Sequence, residues 1–408
     1  MRILFTSPVL EHPPAGGSQL RVENSIKALA QLCEMDIISR CPPSVAGGDV
    51  AERFYRGYCT EFHVAPSVRL LSANRYRRKL QRLVGLFGNR AIRSDVAYML
   101  DHIDRRNISV VWFGYGNISF PLIRAIKKQR PKLITICDTD SVWSRFILRE
   151  LPYAKGLRRL YIRWMGVRKE REEKAWVNLC NITTAVSEID AQYYRSLTDD
   201  PSRVRVFSNV LDVDYYTNSP APPPNLQHPS IYLAGTFGRY SSPMDVAARW
   251  MLNEVFPLVR QAIPNVHFYL VGKDSDRMFG HLNDPHITVT GKLPSVLPYL
   301  CHVNVALVPL KFESGTRFKI LEAGACRIPL VSTTLGAEGI PVLDKEHLLI
   351  ADTPQEFADA IVRLLREPDF AKTLAENCRQ LVEQRYSIST LKKEAKGILQ
   401  TIEESLSP

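Results

Sequence analysis

The chain has 408 residues, 45% hydrophobic and 23% charged, the balance of a soluble globular protein long enough for two domains. Its 53 Lys and Arg against 42 Asp and Glu leave a formal charge of +11, which calls for an anionic partner such as nucleic acid, anionic lipid or a phosphorylated substrate. No apolar run reaches the about 18 residues of a membrane span. The eight cysteines lack CxxC spacing or a His/Cys cluster, so structural zinc is not indicated and a reducing, cytoplasmic compartment is expected.

The opening MRILFTSPV is too short, and broken too soon by Pro8, for a signal peptide. Arg2 to Ser7 instead reads as a strand, followed by a Pro- and Gly-rich loop from Pro8 to Ser18. Gln19 to Leu32 then predicts an amphipathic helix and Met35 to Ser39 a second strand, a βαβ opening that points to a parallel, helix-covered sheet. Gly16-Gly17 is not a GxGxxG fingerprint, so no dinucleotide cofactor is indicated. Paired glycines at a helix start let a ligand approach the backbone closely, or simply make a turn.

From Val68 to Arg93 the chain is strongly basic, with leucines interleaved. Arg75, Arg77, Arg78, Lys79 and Arg82 would suit an anionic membrane surface, and a solvated helix packed by its leucines fits equally well. A second basic cluster runs from Lys155 to Lys174, its later half mixed with acids like an ordinary exposed helix. Neither belongs to a recognisable nucleic-acid module, so nucleic acid is not the expected partner. Between the two clusters, Val110 to Phe113 and Leu133 to Ile136 read as strands. The second leads into Cys137-Asp138-Thr139-Asp140-Ser141. Asp138 and Asp140 stand where an open α/β sheet binds ligands, and either could instead cap the next helix.

Ile182 to Val186 is a further strand, and Ser187 a plausible cap for the helix after it. SPAPPPNLQHP, residues 219–229, is a stiff proline-rich linker between a first domain, 1–218, and a second, 230–384, with residues 385–408 as a closing helix. The second domain repeats the α/β alternation. Its first strand, Ile231 to Gly235, opens a glycine loop in which Gly235 and Arg239 could clamp a diphosphate, unless Arg239 is only a surface cation. Met244 to Val259 reads as helical.

The most informative stretch is Lys311 to Ile340. A β-branched strand, Val303 to Leu310, gives way to a polar loop ending in Gly315-Thr316, and Arg317 to Ala325 is helical. Free amides at such a helix start can hold an anion. Arg317 and Lys319 are cations where the helix dipole prefers acids, an arrangement that makes sense beside an anionic ligand. Glu322 would add a carboxylate on the rim, and a phosphate plus a hydroxyl-bearing group suggests a nucleoside diphosphate.

This stretch resembles the nucleotide-sugar motif of family 4 glycosyltransferases, retaining enzymes of the GT-B fold. The motif stands here as Gly315-Thr316-Arg317-Phe318-Lys319-Ile320-Leu321-Glu322-Ala323, then Pro329, then Gly336-Ala337-Glu338-Gly339. Members often carry a second glutamate eight positions earlier. That position is Ser314 here, with Glu313 one residue off, and the family's frequent histidine near Asp138 is absent.

The resemblance implies an α/β chain of two Rossmann-like doubly wound domains facing across a cleft. It implies transfer of a sugar from a nucleotide-diphosphate sugar to a glycan, glycolipid or lipid-linked hydroxyl, with retention and without metal or cofactor. Gly16, Gly17, Gly235, Arg239, Gly315, Thr316, Arg317, Lys319 and Glu322 would hold the donor, and Asp138, Asp140, Arg317 and Lys319 would serve catalysis. The protein would be cytoplasmic, or peripheral on the inner membrane face. A nucleotide-sugar 2-epimerase and a degenerate, non-catalytic binding protein are the alternatives, the first needing more cleft acids and histidines than Asp138 and Asp140 supply.

Overall fold

The computed structural model describes residues 1–14, 16–71, 86–238 and 242–406. Arg75, Arg77, Arg78, Lys79 and Arg82, expected at a membrane, and Arg239, expected on the donor, lie outside the described residues. The chain divides into two compact units. Unit 1 is Met1–Ser144, Trp164–Asn209 and Ile388–Pro408, and unit 2 is Arg145–Arg163 and Val210–Ser387.

Unit 1 is built on seven strands: β1 (Arg2–Ser7), β2 (Glu34–Ser39), β3 (Phe62–Val64), β4 (Val110–Gly114), β5 (Ile134–Asp138), β6 (Ile182–Ala185) and β7 (Val204–Val206). They pair in the order β3-β2-β1-β4-β5-β6-β7, every pair parallel. Helices cover both faces of such a sheet, so its central strands are apolar at successive positions rather than alternate ones. VVWFG in β4 and ITICD in β5 are buried along their whole length. Ser187 caps the helix Glu188–Arg195 as expected, accepting from the Asp190 amide at 3.2 Å. The last helix, Ile388–Leu406, packs on Gly17–Leu29, and Glu394 on it accepts from the Ser208 amide and hydroxyl, both at 2.7 Å.

Unit 2 repeats the plan with β8 (Ser230–Ala234), β9 (His267–Val271), β10 (Ile287–Val289), β11 (Val305–Val308), β12 (Leu330–Ser332) and β13 (Leu349–Ile350). The order is β10-β9-β8-β11-β12-β13, again all parallel. Both sheets are doubly wound and reverse direction beside their first strand, between β1 and β4 and between β8 and β11. Open α/β sheets bind ligands at the carboxyl ends of strands flanking such a reversal.

Three local expectations change. Asp138 is the last residue of β5, not part of the loop beyond it. Met244 to Val259 is helical as expected, except that its middle turn, Met251–Val255, is widened between Pro243–Trp250 and Phe256–Ala262. Pro257 has no amide to donate back along the helix, which accounts for the interruption. The proline-rich stretch 219–229 lies against unit 2, where the Gln227 amide donates to Tyr269 Oη at 2.7 Å and His302 Nε2 lies 2.7 Å from Pro220 O. The division between the units falls before it, at Asn209 and Val210.

Candidate functional site

In unit 2 the loops after β8 and β11 flank the reversal of the sheet. Gly235 follows β8, and Gly272 (φ +123°) follows β9. A Cβ at Gly272 would lie 2.1 Å from Gly235 O, so glycine there lets the two loop backbones touch. After β11 the chain runs through Pro309–Thr316 to the helix Phe318–Ala325, with Gly315 in the left-handed region at φ +84°. The loop is anchored at several points. Phe312 is buried, with the Tyr153 ring 5.2 Å away. Lys311 Nζ sits 3.7 Å from the Trp250 ring centroid and donates to Asp352 O at 2.9 Å. Arg149 Nη1 donates to Glu313 O at 2.7 Å, and its two Nη atoms reach Glu338 Oε1 and Oε2 at 2.9 and 2.7 Å. A two-pronged guanidinium–carboxylate pair of this kind fixes orientation as well as charge.

The helix Phe318–Ala325 starts at Arg317, whose backbone (φ −88°, ψ 105°) is extended; no side chain caps it and its first turn holds no acid. Its far end is fixed, because Arg379 donates to Ala325 O. A Cβ at Gly324 would lie 2.8 Å from Cys378 Sγ, so this helix sits tightly on Pro368–Arg385. Arg317 is 6% exposed and donates from Nη2 to Leu335 O at 3.2 Å. The side chain is therefore interior, where exposure was the natural expectation for an arginine at a helix start.

Lys319 is half-buried and forms no ion pair or hydrogen bond among the described residues. Burial lowers its pKa, opposed by the charges of Glu322 and Glu313. Burial raises the Glu322 carboxyl, opposed by Lys319, and Tyr216 donates its hydroxyl to Glu322 Oε1 at 3.2 Å. Burial also raises Glu313. The Ser314 hydroxyl is buried with no hydrogen-bond partner among the described residues, an arrangement that native interiors usually avoid. Thr316 is buried beside it. Five of the anticipated residues, Gly315, Thr316, Arg317, Lys319 and Glu322, thus share one loop and helix, with Gly235 at the neighbouring strand end.

The remaining ones among the described residues lie in unit 1. Gly16 is the extended residue before the helix Gly17–Leu29 (φ −174°), a conformation open to any residue. Asp138 is wholly buried. Its Oδ1 accepts from Arg21 Nη2 at 2.5 Å and Thr184 Oγ1 at 2.7 Å, and its Oδ2 from Trp112 Nε1 at 3.2 Å. Arg21 Nη1 goes on to Phe207 O and Asn209 Oδ1, each at 2.9 Å. Asp138 therefore ties the helix after β1 to β4, β6 and the end of β7.

Asp140 differs. It is half-buried past the strand end, accepts from Trp143 Nε1 at 3.1 Å, and burial pushes its pKa up to about 6. Beside it Tyr115 holds a left-handed backbone, φ 58°.

Two contributors were not anticipated, Arg149 and Tyr216; in unit 1, His12 on the loop after β1 is held within that unit. His12 Nδ1 lies 2.8 Å from Glu23 Oε2, and its ring stacks on Phe54 at 3.6 Å. Arg149 and Tyr216 are far in sequence from their glutamates, and no local pattern marks them. The described residues hold one set with metal-ligand proximity: Glu61, His63 and His102. There Arg106 lies 3.3 Å from Glu61 and Arg105 donates to His102 Nδ1 at 3.1 Å, so existing cations already satisfy the cluster.

Comparison with known proteins adds the following. Residues 232–367 match the family described as "Glycosyl transferases group 1". A curated relative, Glycosyltransferase 1 domain-containing protein 1 of Xenopus tropicalis, is 24% identical over 143 residues, 33% of this chain and 41% of that protein. The match therefore spans about two fifths of the relative's length. Among solved structures, sucrose-phosphate synthase from Thermosynechococcus elongatus aligns with a TM-score of 0.71 at 16% identity, covering 99% of this chain and all of that one. HepE of Anabaena, in complex with UDP and glucose, aligns at 0.64 and 13%, covering 98% of this chain and all of the other. A glycosyltransferase from Rickettsia africae aligns at 0.66 and 13%, covering 98% of each chain. The chain has the GT-B fold.

Proposed function

We propose that this protein transfers a glycosyl group from a nucleotide-diphosphate sugar to a hydroxyl acceptor, a glycan, glycolipid or lipid-linked intermediate. The observation that carries the reading is the unit 2 loop and helix. Buried Arg317 and half-buried Lys319 flank a left-handed glycine at an uncapped helix start, and Glu322 stands one turn further on. That set suits a nucleoside diphosphate. The two cations and the first-turn amides meet the phosphate charge that grows as the glycosidic bond breaks, and Glu322 accepts hydrogen bonds from ribose hydroxyls. Tyr216 keeps the Glu322 carboxylate turned, and the Arg149–Glu338 pair holds the loop. Structures of HepE bound to UDP and to UDP-glucose support a donor of this class.

In this reading the sugar keeps its anomeric configuration. The acceptor hydroxyl attacks from the face the diphosphate leaves, and the diphosphate oxygen takes the acceptor's proton, so no protein base is required. Asp140, protonated or ionised around pH 6, is the unit 1 acid suited to orient a hydroxyl, while Asp138 supports it through the Arg21 network. The phosphate charge is met by Arg and Lys, so turnover should survive chelation with EDTA.

The test is incubation of the purified protein with a panel of nucleotide-sugars, reading thermal stabilisation, nucleoside diphosphate release and sugar stereochemistry. Donor-dependent stabilisation with diphosphate release supports the reading. An epimerised nucleotide-sugar without release would make the protein an epimerase, and no binding would make it a non-catalytic relative.

A further inference from the structure

The helix Gly156–Leu179 carries two unlike halves. Its second half buries a face: Trp176 and Val177 are in the core, and Glu173 accepts from the Ser144 amide at 2.9 Å and from Tyr193 Oη at 2.9 Å. Its first half turns apolar side chains outward. Leu157 is 86% exposed, Leu160 66%, Tyr161 60% and Trp164 57%. At about 100° of rotation per residue, these four positions fall within one arc of about 100°. Soluble surfaces scatter single exposed leucines, but a continuous stripe of this kind marks an interaction face.

The charge around the stripe is mainly positive, although Arg158 pairs with Glu150 and Lys169 with Glu172. From Leu151 to Lys169 the sequence holds six cations, Lys155, Arg158, Arg159, Arg163, Arg168 and Lys169, and no acid. Lys155, Arg158, Arg159 and Arg163 are exposed, with Arg158 and Arg163 on opposite flanks of the stripe. Arg168 lies 5.6 Å from the Trp164 ring centroid. Leucine together with Trp and Tyr, rings with one apolar and one polar end, is the composition that settles at a lipid headgroup boundary. Flanking arginines add attraction to anionic headgroups. The helix is too polar to cross: among the described residues no helix is long and apolar enough to span a membrane.

We infer that residues 155–168 form an interfacial helix that lays Leu157, Leu160, Tyr161 and Trp164 into the headgroup layer of an anionic bilayer. Vesicle binding is read without any donor, so the inference stands or falls independently of glycosyl transfer. For an enzyme with a lipid-linked acceptor, it would hold the protein where that acceptor resides.

The experiment is vesicle flotation of the full chain with phosphatidylcholine alone and with added phosphatidylglycerol, followed by tryptophan emission. Trp164 is the most exposed of the five tryptophans, so a blue shift on binding, lost in Trp164→Phe, reports its entry into lipid. The wild type should float with the anionic vesicles and be released by salt. Leu157→Ser with Leu160→Ser should weaken binding about tenfold or more, and Arg158→Gln, Arg159→Gln and Arg163→Gln together about a hundredfold. Circular dichroism and nucleoside diphosphate binding should stay unchanged in both. A wild type that remains below the anionic vesicles overturns the inference. So does a serine variant that floats like wild type, which would move the lipid contact elsewhere on the chain. A serine variant that converts a dimer to a monomer in lipid-free sedimentation also overturns it, making a second copy the occupant.

Discussion

Each unit holds a buried cluster of charge beside the reversal of its sheet, and the two are closed to different degrees. In unit 1 Arg21 meets Asp138 at 2.5 Å, and both oxygens of that carboxylate accept hydrogen bonds from Arg21, Thr184 and Trp112. In unit 2 Lys319 has no hydrogen-bond or ion-pair partner among the described residues, and Glu322 receives one hydroxyl, from Tyr216. Burying a charge without a close counter-charge is costly. A closed network repays that cost inside the fold, whereas on the proposed reading an open one would be repaid by an anionic ligand. The position of an acid at a strand end therefore does not decide its role; its partners do.

The largest break in this comparison should come from Asp138→Ala, which leaves Arg21 as an uncompensated buried charge. Unfolding in denaturant should lose about 3–5 kcal/mol. Unchanged stability with lost turnover would instead mean that Asp138 acts on substrate. Next in size, Lys319→Ala should cut kcat/KM for the donor by about 2–4 kcal/mol, while stability moves by no more than about 0.5 kcal/mol. Arg317→Ala differs from it in kind: because Arg317 is interior and bonded to Leu335 O, it should lower both donor binding and the unfolding midpoint.

Smaller again is Glu322→Gln, which keeps shape but loses charge. Nucleoside diphosphate binding measured by calorimetry should weaken by about 1.5–3 kcal/mol, at an unchanged melting temperature. A variant that melts far lower yet binds normally would make Glu322 a structural partner of Tyr216.

Asp140 sharpens the contrast within unit 1. Its folded pKa, about 6, lies above the ordinary 3.8, so the folded state holds the proton more tightly. Stability should therefore fall as pH rises from 3.8 to about 6. Asp140→Asn should remove that decline and gain about 1–3 kcal/mol at pH 7. A stability profile unaltered by the substitution would place the titration elsewhere.

The parallel sheets were legible because their strands are continuous apolar runs closed by Gly, Pro or acids. RILFTS keeps the bounds expected of it, Arg2–Ser7. The edge strands β3 and β13 were not, since FHV and LI are too short to show a period. At the site, the spacing of Gly315, Arg317, Lys319 and Glu322 along one helix start was readable because those contacts are local. The burial of Arg317, the clamp by Arg149 and the Tyr216 hydroxyl depend on residues brought together from distant segments. The partners of Asp138 were not legible for a related reason: Arg21 lies 117 residues earlier, and only the fold joins them. The later half of the second basic cluster is an exposed helix, as expected, with Glu173 on its buried side. Its earlier, acid-free part is largely exposed too, with Ile162 buried.

The central claim rests on a nucleoside diphosphate held by the loop and helix from Ser314 to Glu322. Isothermal titration of UDP, GDP and ADP into the wild type and Lys319→Ala tests it most directly. The account predicts that one nucleotide binds the wild type at a single site and that Lys319→Ala binds it at least about tenfold more weakly at equal thermal stability. Failure of every nucleotide to bind, or equal affinity in the two proteins, would contradict it.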